Sequence, residues 1–227
     1  MYLLTSILLT IFFSLQSFAF DQSIGSFSKG SLERAKELSD EGRGYVKLFQ
    51  KRERRFGSDT LITALRDISL YMATKFPFGE RLQIGDLSQK KGGRISRHAS
   101  HQNGLDVDIM YFRNDYREQE VEYNGFDEDF VHAHKLSSNF DKKRNWELFK
   151  YLVTNYRVNR IFVDKVIKQE MCQYAQVIGE FDSGHEVLRR LRHWKFHGNH
   201  MHIRLKCPLS ETRCSDQKET STQTFCR

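Results

Sequence analysis

Residues 97–112 read RHASHQNGLDVDIMYF, and the alternation in their second half decides how the chain is read. Leu105, Val107 and Ile109 fall on one face of an extended strand, and Asp106 and Asp108 on the other. Two carboxylates on one face need a partner. Far along the chain HMHIRL repeats the pattern, with Met201, Ile203 and Leu205 set against His200, His202 and Arg204. If the two strands share a sheet, their apolar faces meet a core and their ionisable faces converge.

Convergence of His101, Asp108 and His202 would assemble two imidazoles and one carboxylate, a donor set suited to a catalytic zinc ion with one position left for water. The HQNG turn lets His101 fold back toward Asp108, and Gly104 permits the tight path. His200, on the same strand face as His202, is the candidate for proton transfer or oxyanion stabilisation. His197 and His98 are placed to line the same cavity, and Asp106 to orient a ligand histidine. Either strand alone also fits a plainer account, with histidines facing solvent and aspartates guarding a sheet edge. Two period-matched strands bearing such residues favour the site. HWKFH (193–197) lacks the glutamate of a helical HExxH zinc motif, and SFSK (26–29) has the SxxK spacing without a KTG box.

Around these strands, RLQIGDL (81–87) and RIFVD (160–164) read as further strands, with 104–112 and 200–207 as the bounds of the site strands. Leu61, Ile62, Leu65, Ile68, Leu70 and Met72 at helical spacing predict a core helix over 59–75 behind a Ser58/Asp59 cap. Further helices are expected over 145–156 and 164–175. Without a βαβ rhythm this is an α+β fold: a small, mainly antiparallel sheet carrying the site, flanked by helices and long loops. The polar segment 113–143 reads as a long surface insertion.

Residues 1–19 contain no charged side chain, an apolar run and small residues at Ser17 and Ala19, which predicts a signal peptide cleaved after Ala19, an uncleaved anchor being the alternative. No other apolar run approaches the roughly 20 residues of a membrane span, so no stable insertion is expected after cleavage. Residues 20–227 then form a single domain, with only two prolines and no linker or repeat. The net charge of +7 attracts acidic partners. Export and the lack of an aromatic-basic motif argue against nucleic acid. Four cysteines in an exported chain predict disulfides, in any of three connectivities. The short polar loop between Cys207 and Cys214 favours a local bridge, which leaves Cys172 with Cys226. A zinc ribbon is disfavoured because no CxxC pair exists.

The stretches GSFSKGS (25–31), IGDLSQKKGGR (84–94), HASHQNGLDVDI (98–109), RIFVDKVIKQEMC (160–172) and HWKFHGNHMHIRLKCP (193–208) resemble the penicillin-insensitive murein endopeptidases. These lie within a broader group that contains lysostaphin, D-Ala-D-Ala dipeptidases and Hedgehog domains. The resemblance implies His101, Asp108 and His202 as zinc ligands, His98 at the edge of the metal, and His200 and His197 as the nearby catalytic histidines. It implies hydrolysis of the D-alanyl to meso-diaminopimelyl cross-link of peptidoglycan in the periplasm. Activated water as nucleophile would leave no acyl-serine for penicillin to trap. The alternatives are a zinc D,D-carboxypeptidase acting on uncross-linked stems and a non-catalytic, zinc-stabilised wall-binding module. A second metal at Asp129 and His132 matches an Asp-x-x-His pair of the family, and Ser31 stands where its members commonly have cysteine. Arg204 is a candidate for attracting stem-peptide carboxylates. Oligomeric state is not legible.

Overall fold

The computed structural model describes residues 22–226, so the expected signal peptide at 1–19 lies outside the described residues. The chain builds a central seven-stranded sheet. Its strands are β1 (Glu41–Gly42), β2 (Tyr45–Lys47), β3 (Leu82–Ile84), β4 (Asp106–Met110), β5 (Val158–Val163), β6 (Leu191–His193) and β7 (His200–Leu205). They lie in the order β6-β5-β7-β4-β3-β2-β1. The β5/β6 and β2/β3 pairs are parallel and the other neighbours antiparallel, so the sheet is mixed and larger than the sequence suggests. The fold is α+β.

The helices are α1 (Asp59–Lys75), α2 (Lys142–Asn155), α3 (Lys165–Val177) and the short α4 (His185–Arg190). Each of the first three begins behind a residue whose side chain accepts a first-turn amide: Ser58 from Leu61, Asp141 from Arg144, and Asp164 from Val166. The Asp141 cap starts α2 three residues before the expected 145. In α1 the buried stripe is Leu61, Ile62, Leu65, Ile68 and Met72. Leu70 does not belong to it: two residues past Ile68 it is turned about 200° away, and it is 38% exposed. The helix α4 and the short N-terminal strands carry too few residues for periodicity to register.

Strands β4 and β7 lie side by side at the middle of the sheet, in a register that opposes His202 to Asp108 and Arg204 to Asp106. Opposed residues share a face. Val107, Ile109, Met201, Ile203 and Leu205 are thereby all sent into the core with the helices. At roughly 25 cal/mol per Å² of apolar surface, each such side chain contributes about 1.5–3 kcal/mol, which makes a one-residue slip of register prohibitive. The same constraint fixes the aspartates and histidines on the opposite face.

Segment 113–143 runs largely over the surface but is anchored to the core. It buries Arg113, Gln119, Phe130 and Phe140 and carries the hairpin of Val131–His132 and Lys135–Leu136. Some of its charges are paired: Arg113 with Asp127 inside the segment, and Glu118 with Arg81 outside it through a two-nitrogen fork at 2.7 and 2.9 Å. Disulfides join Cys172 to Cys226 and Cys207 to Cys214, the pairing favoured by the spacing.

Candidate functional site

The polar faces of β4 and β7 meet the loops 97–105 and 193–199 in a histidine-rich cleft of about 460 Å³. Gly104 adopts a left-handed φ of 73°, and a Cβ there would stand 2.7 Å from the Leu32 side chain, so only glycine allows the return from His101 into β4. His101 itself is left-handed and fully buried, and its backbone N–H donates to Asp106 Oδ2 at 3.1 Å. Neither of its ring nitrogens has a hydrogen-bond partner among the described residues, nor does Asp108 Oδ1. Three buried donor atoms without partners are costly unless something fills the space between them.

Two of them, His101 Nε2 and Asp108 Oδ1, come together. Asp108 Oδ1 lies 3.4 Å from His101 Nε2 and 3.1 Å from His202 Nδ1, without hydrogen-bond geometry to either. His98 Nδ1 approaches Asp108 Oδ2 at 3.7 Å. His98, His101 and Asp108 bring one donor atom each within 4.8 Å of one another, a group able to hold a metal ion. His202 is the next imidazole in line, its ring 4.7 Å from that of His101.

The other histidine rings are each held at one nitrogen. His202 Nε2 bonds Asp106 Oδ1 at 2.9 Å, which orients the ring with Nδ1 toward Asp108. Arg204 Nε donates to the same oxygen at 2.7 Å. His98 Nε2 bonds Asp86 Oδ2 at 3.1 Å, and Arg54 and Arg52 reach that oxygen at 2.8 and 3.1 Å. His197 Nδ1 donates to the Lys195 carbonyl at 2.8 Å, and His200 Nδ1 to Asn199 Oδ1 at 2.6 Å. His200 also stacks on Phe126, with ring centres 4.6 Å apart and planes 15° from parallel.

This packing separates the protonation states. Burial favours the neutral ring of His101 and His197, and pushes His200 down to about 3. It acts against a charge on His202 too, but Asp106 and then Asp108 outweigh it and push that ring up to about 9. Burial would raise both aspartates; Arg204 and His202 hold Asp106 well below the usual carboxylate range, and His101 and His200 do the same for Asp108.

The family model described as penicillin-insensitive murein endopeptidase matches residues 23–227. The chain belongs to this family. A penicillin-insensitive murein endopeptidase of Pectobacterium atrosepticum is 35% identical over 208 residues, spanning 87% of this chain and 69% of the relative. The proteins of the same name from Escherichia coli O9:H4 and Klebsiella pneumoniae strain 342 are each 34% identical, over 86% of this chain and 70% of their own length.

In this murein endopeptidase family member, His98, Asp108, His197, His200 and His202 line the cleft, and His101 and Asp106 are buried against them. His193 and His197 share no helix, in keeping with the missing glutamate of an HExxH motif: His193 ends β6 and Phe196 turns left-handed at φ 66° between them. Arg204 is buried and committed to Asp106, so it presents no charge to a ligand in the cleft. Asp129 Oδ1 accepts from the Val131 N–H, and His132 is exposed.

Two functional neighbours escaped the sequence reading. Asp86 is 2% exposed and follows β3, in a motif where one acidic residue carries no periodic signal. Its backbone carbonyl accepts from Asp108 N–H at 3.0 Å, so it is tied to the cluster by main chain as well as side chain. Phe126 comes from the segment taken for an insertion, and no pattern in it announces an aromatic partner for His200.

Proposed function

We infer that this chain is a zinc-dependent endopeptidase that hydrolyses the peptide cross-links of peptidoglycan, the D-alanyl to meso-diaminopimelyl bond being the target. The supporting observation is the buried pair His101 Nε2 and Asp108 Oδ1, 3.4 Å apart and neither with a hydrogen-bond partner among the described residues. Nitrogen and carboxylate donors in this number suit Zn²⁺. His101, Asp108 and His202 would hold the ion, with His98 at its edge. Bound there, zinc would supply Lewis acidity toward the scissile carbonyl and lower the pKa of water.

The chain's own residues account for the rest of the chemistry. Asp106 keeps the Nε2 proton of His202 in place, so that Nδ1 stays available as a donor. His200, neutral at physiological pH and with Nδ1 occupied by Asn199, offers Nε2 to take a proton from the attacking water and return it to the leaving amine. His197, tethered the same way, stands 4.9 Å away ring to ring, a second neutral imidazole for the developing oxyanion or the proton relay. Phe126 fixes the plane of His200. Arg97 and Lys195 are exposed at the cleft and add positive potential toward acidic stem peptides.

Residues 1–19 acting as a signal peptide, with a single domain over 20–227 acting in the periplasm or after secretion, complete the proposal. Among the described residues no helix is long and apolar enough to cross a membrane.

The test is zinc content measured alongside digestion of purified sacculi, with the released muropeptides chromatographed. Conversion of cross-linked dimers to monomers, lost on chelation and restored by zinc, is the expected result. Trimming of terminal D-alanine without loss of dimers would instead make the protein a D,D-carboxypeptidase. Binding to sacculi with no product at all would make it a wall-binding module.

A further inference from the structure

Of the charges lining the cleft, Arg97 and Lys195 are exposed, and Asp108 and Arg204 are buried with partners. Asp108 faces the histidines, and Arg204 is spent on Asp106. Arg160 differs. It lines the same cleft from β5, half-buried, and no carboxylate pairs with it among the described residues. Its guanidinium is fixed by neutral acceptors: Nε donates to Asn159 Oδ1 at 2.7 Å and Nη2 to the Lys218 carbonyl at 2.6 Å. The acid whose charge acts on it, Glu219, is already shared by Arg190 at 2.9 Å and by Lys206. Burial, and then the neighbouring Arg204 and Arg192, press its pKa down to about 10, so it remains a cation at neutral pH. A tethered, uncompensated arginine that keeps Nη1 for an outside acceptor is arranged for an anion, and its planar fork favours a carboxylate.

The sheet fixes how far that anion lies from the chemistry. Arg160 opposes Arg204 on β7, whereas Phe162 opposes His202. Two residues of strand separate the levels, about 7 Å at roughly 3.3 Å per residue. A group held by Arg160 is therefore within one or two peptide units of an amide lying against the His202 level. Phe162 floors the interval, its ring 5.4 Å from that of His202 and 5.7 Å from that of Trp194, which is 61% exposed at the rim.

We propose that Arg160 is a specificity-determining residue that binds a free carboxylate of the substrate one or two residue lengths from the scissile amide. This rests on the peptidase reading above and deepens it: the enzyme selects stems whose carboxylate beside the cross-link is unmodified, and turns over amidated stems poorly. The bond broken and the proton path are unchanged.

The experiment compares the full chain with Arg160→Gln and Arg160→Lys on two cross-linked muropeptide dimers, one with free carboxylates beside the cross-link and one with them amidated. With the wild type, KM for the free-acid dimer is expected to be about 10- to 100-fold lower than for the amidated one. Arg160→Gln removes that preference, with zinc content and kcat little changed, and Arg160→Lys restores part of it by returning charge without the fork. Equal loss on both dimers would mean a structural role and overturn the proposal, as would an unchanged preference. If the wild type cleaves neither dimer, the peptidase reading itself fails, an outcome distinct from either.

Discussion

His202 and Asp108 enter the cluster from the centres of two hydrogen-bonded strands, whereas His98 and His197 enter it from loops that turn left-handed at Arg97 and Phe196. The strand-borne half is closed from behind by Asp106 and Arg204, both almost inaccessible to water. The loop-borne half is steadied by Asp86 and by the Lys195 carbonyl, and the arginines that hold Asp86 are partly exposed. Register cannot shift by a fraction of a residue, so the first half is stiff. A loop clamped by single hydrogen bonds can move by tenths of an ångström at small cost. The two strand-borne donors, Asp108 and His202, are thus the stiffer part of the proposed site, and the loops, which also carry His101, the more adjustable part.

The largest effect should come from the strand-borne donors. His202→Ala and Asp108→Ala are expected to lose zinc and sacculus digestion together, read by elemental analysis and muropeptide chromatography; full zinc with normal digestion in either would remove the site from the strands. His200→Ala comes next, keeping its zinc while kcat falls about 10²- to 10⁴-fold. Loss of zinc in that variant would make His200 a ligand rather than a proton carrier.

The two carboxylate and histidine pairs then compare directly. Asp106→Asn should lower zinc affinity about 10- to 100-fold and cost about 3–5 kcal/mol of stability, because Arg204 is left as an unpaired buried charge. Asp86→Asn should cost about 1 kcal/mol or less, since Arg52 and Arg54 retain water, with at most about a tenfold loss of affinity. Equal losses from both, by competitive chelator titration and thermal melts, would erase the distinction.

The raised pKa of His202 gives the comparison a pH signature. Zinc binds the unprotonated ring, so below about 9 it must displace a proton, and affinity should rise by up to about tenfold per pH unit from 7 toward 9 and then level off. In chelator-treated protein the sign reverses. The folded value lies above the ordinary 6.5, so this group's contribution to stability is complete below 6.5 and is lost as pH rises through about 9. Affinity independent of pH across that interval would contradict the Asp106–His202 coupling. The smallest effect is a control remote from the site: Ser58→Ala removes the α1 cap, with an expected cost of about 1 kcal/mol, a Tm lower by about 2–4 °C, and unchanged zinc content and digestion.

The sequence by itself determined the strand-borne half. Period-two alternation in LDVDI and HMHIRL admits one assignment of faces, because burying Asp106 and Asp108 in the core in place of Val107 and Ile109 would be prohibitive. It also located α1 to α3, whose apolar stripes and caps are local. Tertiary structure alone decided that β4 and β7 are neighbours, that His202 rather than another strand residue opposes Asp108, and that Asp86 and Phe126 come to the cluster. These are pairings between distant residues, set by the packing of the whole sheet, and a single carboxylate or ring in a loop has no period to reveal them. The same reason explains Arg204 and Arg160, alike as cations in sequence. The fold gave one a buried partner and left the other facing the cleft.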